Sequence, residues 1–352
     1  MKIFHLADLH LGSEMNARLT REAARLRREE MCMAFDRVVE RAKRDGVSAI
    51  LLSGDVFDTA LPAARDKEFF YDAIRQAPAI TFFYLKGNHD NLERAEDLPN
   101  LKTFREDAWT TYTLAEGVTV SGIELTAENS NDYYNSLYLD ESKKNIVMLH
   151  GQIADAKGVE KIHVKSLSGK NIDYLALGHV HSYQSGAIDA RGVYAYAGCL
   201  EPRGFDELGP KGFISIDTDG GLSYSFMENS LRPVQLFTVD VSGLKGIADV
   251  LRKLEEEISV LEEDMLRIVL TGEADFDTDG MENMILSRWR GKCFAISVKD
   301  ETERALDLSK YEGQVSIEAE FIRVVLANET LSDRQKKEVI SLGLKALSGG
   351  KL

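Results

Sequence analysis

A chain of 352 residues, 44% hydrophobic and 29% charged, has the makeup of a soluble globular protein with room for two domains. No apolar run approaches the ~20 residues that span a bilayer, and the N-terminus lacks the apolar segment and cleavage site of a signal peptide, so a cytoplasmic protein without a membrane partner is expected. The net charge of −15 opposes indiscriminate binding to nucleic acid, but not binding assisted by divalent cations that add local positive charge.

Residues 2–6 read as a first strand that runs into Ala7-Asp8-Leu9-His10-Leu11-Gly12. Thr20 caps a predicted helix reaching Asp45, with Met31, Phe35, Val38 and Ala42 at helical spacing and Gly46 as its end. Its arginines, Arg18, Arg21, Arg25, Arg27 and Arg28, read first as a solvated face and second as contacts for phosphates or a partner. Residues 47–53 form an apolar strand followed by Gly54-Asp55-Val56-Phe57-Asp58. A helix is predicted over 63–77, then a buried strand over 79–85 leading into Gly87-Asn88-His89-Asp90, then a surface helix over 92–107. A strand over 118–125 precedes a loop over 126–143. The strand over 145–149 ends in His150-Gly151, and that over 172–177 ends in Gly178-His179-Val180-His181. Further strands cover 193–197, 212–216 and 222–227. Early alternation of strand and helix, followed by strands alone, predicts an α/β architecture of two sheets.

Composition shifts near Ser230-Leu231-Arg232-Pro233, which places a first domain over 1–230 and a smaller one over 233–300. The smaller domain reads as strand 234–241, helix 246–262, strand 265–271, helix 280–290 and strand 292–298. Ile247, Leu251, Leu254, Ile258 and Leu261 share one side of its first helix. It has no cluster of histidines or carboxylates, so no chemistry is assigned to it. Trp289, between Arg288 and Arg290, reads as a core-edge residue rather than a base-stacking surface. The tail, 314–352, reads as two amphipathic helices, the second opened by a capping box at Ser332-Asp333-Arg334-Gln335.

Five strand ends carry candidate metal ligands: Asp8 and His10; Asp55; Asn88 and His89; His150; and His179 and His181. Strands of one sheet bring their ends together, so residues distant in sequence can converge. His5 is expected within or beside the first strand and His163 on the surface, outside this set. The cysteines, Cys32, Cys199 and Cys293, are far apart and lack CxxC spacing, so they read as small buried hydrophobes. A donor set of imidazole, carboxylate and amide without thiolate suits Mn, Fe, Zn or Mg. There are too many donors for one four-coordinate ion. They suit two ions bridged by a carboxylate, a recurring device for phosphate-ester hydrolysis with ions about 3.5–4 Å apart.

Taken in order, Asp-x-His, Gly-Asp-x-x-Asp, Gly-Asn-His-Asp, His-Gly and Gly-His-x-His resemble the motifs of calcineurin-like metallophosphoesterases over roughly residues 1–230. Within that superfamily the chain is similar to SbcD-type DNA repair exonucleases. The similarity runs through Asp8-Leu9-His10-Leu11-Gly12, Gly54-Asp55-Val56-Phe57-Asp58, and Gly198-Cys199-Leu200-Glu201-Pro202 on to Phe205-Asp206-Glu207. The resemblance implies an α/β/β/α two-sheet sandwich with a smaller α+β capping domain and C-terminal helices. It implies that Asp8, His10 and His181 hold one ion, that Asn88, His150 and His179 hold the other, and that Asp55 bridges both. His89 would stabilise or protonate the leaving oxygen, and Asp90 would orient His89. The usual metal would be Mn. The implied activity is exonuclease on duplex DNA ends and endonuclease on single strands. The implied partners are DNA, a second copy docked through helices near 63–77 and 92–107, and an SbcC-type coiled-coil ATPase bound by the C-terminal helices.

The same ligands would serve a phosphodiesterase for nucleotides or cyclic nucleotides, which a closed pocket would mark. They would also serve a non-catalytic assembly subunit with a structural metal site. A serine/threonine phosphatase fits less well, because that branch favours Glu where Asp90 stands.

Overall fold

The computed structural model describes residues 1–15, 19–90, 95–156, 158–304 and 308–347. Arg18 and residues 92–94 lie outside them. The elements in chain order are β1 (Lys2–Leu6), α1 (Arg21–Arg44), β2 (Ala49–Ser53), α2 (Ala64–Arg75), β3 (Thr81–Leu85), β4 (Leu101–Thr103), β5 (Thr110–Ala115), β6 (Val118–Gly122) and β7 (Lys144–His150). Then come β8 (Gln152–Ile153), β9 (Lys161–Ile162), β10 (Tyr174–Gly178), β11 (Gln184–Ala187), β12 (Val193–Tyr196), β13 (Gly212–Asp217) and β14 (Ser223–Glu228). They are followed by β15 (Val234–Asp240), α3 (Ile247–Glu257), β16 (Met265–Thr271), β17 (Glu273–Ala274), α4 (Met281–Trp289), β18 (Ala295–Asp300), β19 (Glu303–Arg304), α5 (Ile317–Leu326) and α6 (Asp333–Leu347).

Two six-stranded mixed sheets, ordered β14-β13-β1-β2-β3-β4 and β11-β12-β10-β7-β6-β5, form an α/β sandwich. The period of two along each strand builds its layers. On β1, Phe4 and Leu6 pack with Phe35, Val38, Phe70 and Ile74 of α1 and α2, while Ile3 joins Leu51, Phe83, Met148 and Ala176 between the sheets. On the far face of the second sheet, Val147, Leu149, Leu175 and Leu177 pack with Tyr133, Leu137 and Leu167, which lie in or beside two short 3₁₀ turns. Strands β1, β2, β3 and β4 are mutually parallel, as are β7 and β10, so the C-terminal ends of each set share an edge.

His5 lies in the apolar layer between the sheets. It is fully buried, and its Nδ1 pairs with the Tyr174 hydroxyl at 3.0 Å. Burial lowers its pKa from 6.5 to about 3. The unfolded chain therefore binds one more proton than the folded chain between those values. The contribution is intact above pH 6.5 and is lost as pH falls toward 3. At pH 5 the loss amounts to about 2 kcal/mol. Denaturant unfolding at pH 7 and pH 5 is expected to show the wild type losing about 2 kcal/mol more than His5→Gln. Equal losses would contradict this account.

The helix expected over 92–107 is not there. Residues 95–100 are irregular, and β4 then joins the sheet beside β3. Pro99 stops a helix in this window, and Asn100 Nδ2 donates to the carbonyls of Ile74, Ala77 and Ile80 at 3.0–3.2 Å. Part of the implied dimer element is thereby absent. The arginines of α1 also differ from a uniform solvated face: Arg27 is wholly buried and paired with Glu30 and Glu201.

The chain divides into two compact units. Met1–Gln235 with Leu261–Leu266 and Gly291–Ala295 forms one; Leu236–Val260, Arg267–Arg290 and Ile296–Leu352 form the other. Helix α3 stops at Glu257, short of the expected end, where the β-branched Ile258 and Val260 disfavour further helix. Trp289 is only 3% exposed, which removes it as a base-stacking surface. Helices α5 and α6 pack through Ile322, Val325 and Ile340 and leave Ile317, Val324 and Leu342 exposed. Among the described residues no helix is long and apolar enough to cross a membrane.

Candidate metal centre

The ends of β1, β2, β3, β7 and β10 meet at one place. The Asp8 and His10 amides donate to the carbonyls of Gly54 and Asp55, and Leu11 to that of Val56, at 2.8–3.0 Å, so the first two loops stay paired beyond their strands. The second sheet is tied in twice. His150 Nδ1 lies 2.9 Å from the Ser53 carbonyl, and the His179 amide donates to both Asp8 carboxylate oxygens at 2.9 and 3.1 Å.

These turns are strained. Asp8, His10, Asp55 and His179 all hold positive φ, at 52°, 45°, 54° and 99°. Side chains with a Cβ seldom adopt this conformation, and it gathers where function demands it. Two glycines make the close approach possible. A Cβ on Gly87 would collide with the Asp55 carboxylate, and one on Gly178 with the Ser53 carbonyl.

Two groups of donors result. In one, His10 Nε2 and His181 Nε2 stand 3.1 Å apart with Asp8 alongside. In the other, Asn88 Oδ1 lies 3.0 Å from His150 Nε2 and 3.2 Å from His179 Nδ1. Asp55 lies between them, its Oδ2 3.4 Å from His150 Nε2 and 3.9 Å from His10 Nε2.

The outer nitrogens show which atoms can bind a cation. The Ser53 carbonyl only accepts, so His150 Nδ1 carries a proton and neutral His150 presents a lone pair at Nε2. His181 Nδ1 donates to Glu207 Oε1 at 2.7 Å. His10 Nδ1 lies 2.9 Å from Asp58 Oδ1, at ion-pair distance though poorly aligned as a hydrogen bond. Three imidazoles thus have their outer edges held and their inner lone pairs aimed at one another and at carboxylate or amide oxygen. Ligating histidines are commonly held this way, and such a convergence of lone pairs fits divalent cations. The titration properties agree. Burial opposes charge on both Asp55 and His150, yet their mutual attraction holds the carboxyl below its usual range and raises the imidazole. Burial would also raise Glu207, but His181 and Arg203 bring it down to about 2.

His89 stands apart from the donor groups. Its ring is exposed, with Nδ1 3.2 Å from the Asp58 carbonyl, and its amide donates to Asp55 Oδ1 at 2.9 Å. Asp90 does not orient that ring as expected. It is buried, with both carboxylate oxygens accepting from the Val56 and Phe57 amides at 2.9 and 2.6 Å. It therefore braces the loop that carries Asp55, and burial raises its pKa to about 7 despite those donors. Asp58, Arg203 and Glu207 were not singled out as site residues by sequence reasoning. Asp58 stands in the Gly-Asp-x-x-Asp motif and Glu207 in the stretch after Gly198, but nothing in those patterns says which histidine each would meet.

The DNA double-strand break repair protein Mre11 of Sulfolobus acidocaldarius is 23% identical over 371 residues, covering 97% of this chain and 94% of that protein. The uncharacterized metallophosphoesterase YhaO of Bacillus subtilis is 26% identical over 301 residues, covering 78% and 72%. The SbcD component of the nuclease SbcCD of Escherichia coli K12 is 25% identical over 317 residues, covering 75% and 76%. Residues 1–183 match the calcineurin-like phosphoesterase family, and they contain every strand end of the metal centre. The chain therefore belongs to the calcineurin-like phosphoesterases, a metal-dependent family.

Proposed function

We propose that this chain is a two-metal nuclease that hydrolyses phosphodiester bonds in DNA. The observation that carries the proposal is the placement of Asp55 Oδ2 within 3.9 Å of imidazoles from both donor groups. Asp8, His10 and His181 would hold one ion, Asn88, His150 and His179 the other, and Asp55 both. When bound, two divalent ions, Mn being the expected kind, would supply Lewis-acid activation of the phosphoryl group and of the attacking water. The chain's own part is positional and protonic. The strained turns hold the donors in place before substrate arrives. His89 Nδ1 donates to a carbonyl, so Nε2 is left to exchange a proton with the leaving oxygen.

DNA is favoured over a small phosphodiester because the likeness to the Mre11 and SbcCD nucleases extends beyond the first 183 residues into the second unit. We assign the exposed apolar side chains of α5 and α6 to docking of an SbcC-type ATPase and the α2 face to a second copy of the chain. Purified protein with MnCl₂ and an end-labelled duplex tests the activity. Cleavage above that of a His89→Ala control is expected, and none, with or without an ATPase partner, contradicts it. Mn at a hundred times its Kd is expected to stabilise the fold by about 2.7 kcal/mol, read as a rise in melting temperature that EDTA reverses. An unchanged melting temperature would count against ion binding.

A further inference from the structure

We propose that Arg203 is a positioning residue for one half of the metal centre, clamping the two carboxylates that hold His10 and His181. The proposal rests on the two-ion reading above. Asp58 Oδ1 is shared between His10 Nδ1 at 2.9 Å and Arg203 Nη1 at 2.7 Å. Glu207 Oε1 is shared between His181 Nδ1 at 2.7 Å and Arg203 Nε at 3.2 Å. The Arg203 amide also donates to Glu207 Oε2 at 2.7 Å, so one residue grips both oxygens of that carboxylate. Arg203 Nη2 reaches to 3.1 Å from His181 Nδ1 itself. A single planar guanidinium therefore spans the outer supports of two imidazoles whose inner nitrogens face each other. A lysine cannot reproduce that, because its ammonium is a point charge without a fixed fork.

The clamp is anchored from within the domain. Arg27 of α1, wholly buried, donates to the Pro202 carbonyl at 2.8 Å and to Glu201 Oε2 at 3.2 Å, which fixes the two residues before Arg203. Glu201 also accepts from Arg37, from the Ser230 hydroxyl and from the Leu231 and Arg232 amides. A buried arginine is costly to desolvate unless it is fully paired, and here the pairing is spent on the loop that presents Arg203.

The arrangement is one-sided. His150 leans on the Ser53 backbone, and no described contact runs from Arg203 to Asn88, His150 or His179. Losing the guanidinium should therefore loosen the His10–His181 group and spare the other.

Titration calorimetry with MnCl₂, without nucleic acid, tests this on the wild type, Arg203→Ala and Arg203→Lys. The wild type is expected to bind two equivalents. Arg203→Ala is expected to weaken one site by about 10- to 100-fold, the usual cost of losing a residue that supports a ligand, and to leave the other at wild-type affinity. Arg203→Lys is expected to weaken the same site less. Two unchanged sites in Arg203→Ala, or two equally weakened ones, would overturn the proposal. If circular dichroism shows Arg203→Ala unfolded, Arg203→Lys decides, and two unchanged sites in it would overturn the proposal as well. Fewer than two equivalents on the wild type would instead overturn the two-ion reading, and with it the basis of the clamp.

Discussion

Replacing His89 by alanine is expected to lower the rate of DNA cleavage by about 10²- to 10⁴-fold, the range typical of a lost general acid, with both ions retained. The two halves of this expectation have separate causes. The backbone amide of His89 donates to Asp55 Oδ1 at 2.9 Å, and alanine keeps that amide. The imidazole is exposed and rests on the Asp58 carbonyl through Nδ1, so its removal takes away a proton donor and not a ligand. Single-turnover cleavage of an end-labelled duplex, paired with metal analysis of the same sample, measures both halves. An unchanged rate would remove His89 from the chemistry. A large rate loss with both ions retained would exclude a purely structural role for the metal centre. Loss of an ion would make His89 a ligand.

The second large effect is expected from Asp55→Asn, which should weaken both ions and abolish measurable cleavage. Asparagine has nearly the same shape, so the change isolates charge and acceptor capacity. Asp55 Oδ2 faces His150 Nε2 and His10 Nε2, while Oδ1 accepts from the His89 amide. An amide nitrogen would either point protons at lone pairs of the two histidines or confront the His89 N–H. Charge is lost in either orientation, and with it the shared electrostatic attraction for both cations. Metal analysis after dialysis is the measurement, and two full equivalents in the variant would sink the bridging assignment. Asn88→Ala is a useful contrast, because it removes one oxygen from the His150–His179 group alone.

Much of this site was legible because strand-end chemistry is written in short local motifs. An apolar strand, a glycine and a polar side chain recur at Asp8, Asp55, Asn88, His150 and His179, and parallel strands place such ends on one edge. The two-sheet plan was legible for a related reason, since burial on both faces makes these strands nearly continuous apolar runs. Contacts between distant segments were not legible. Asp90 is next to His89 in sequence, but the turn sends its carboxylate to the Val56 and Phe57 amides. Arg27 reads as one arginine of a charged helix face, and only the fold sets it against Glu30 and Glu201. The helix expected over 92–107 rested on polar composition and overlooked what Pro99 does to a backbone ladder.

Anomalous diffraction from crystals soaked in MnCl₂ tests the central claim most directly. The account predicts two peaks about 3.5–4 Å apart that flank the Asp55 carboxylate, one against His10 and His181 and the other against Asn88, His150 and His179. A single peak, or two peaks that do not share Asp55, would contradict it.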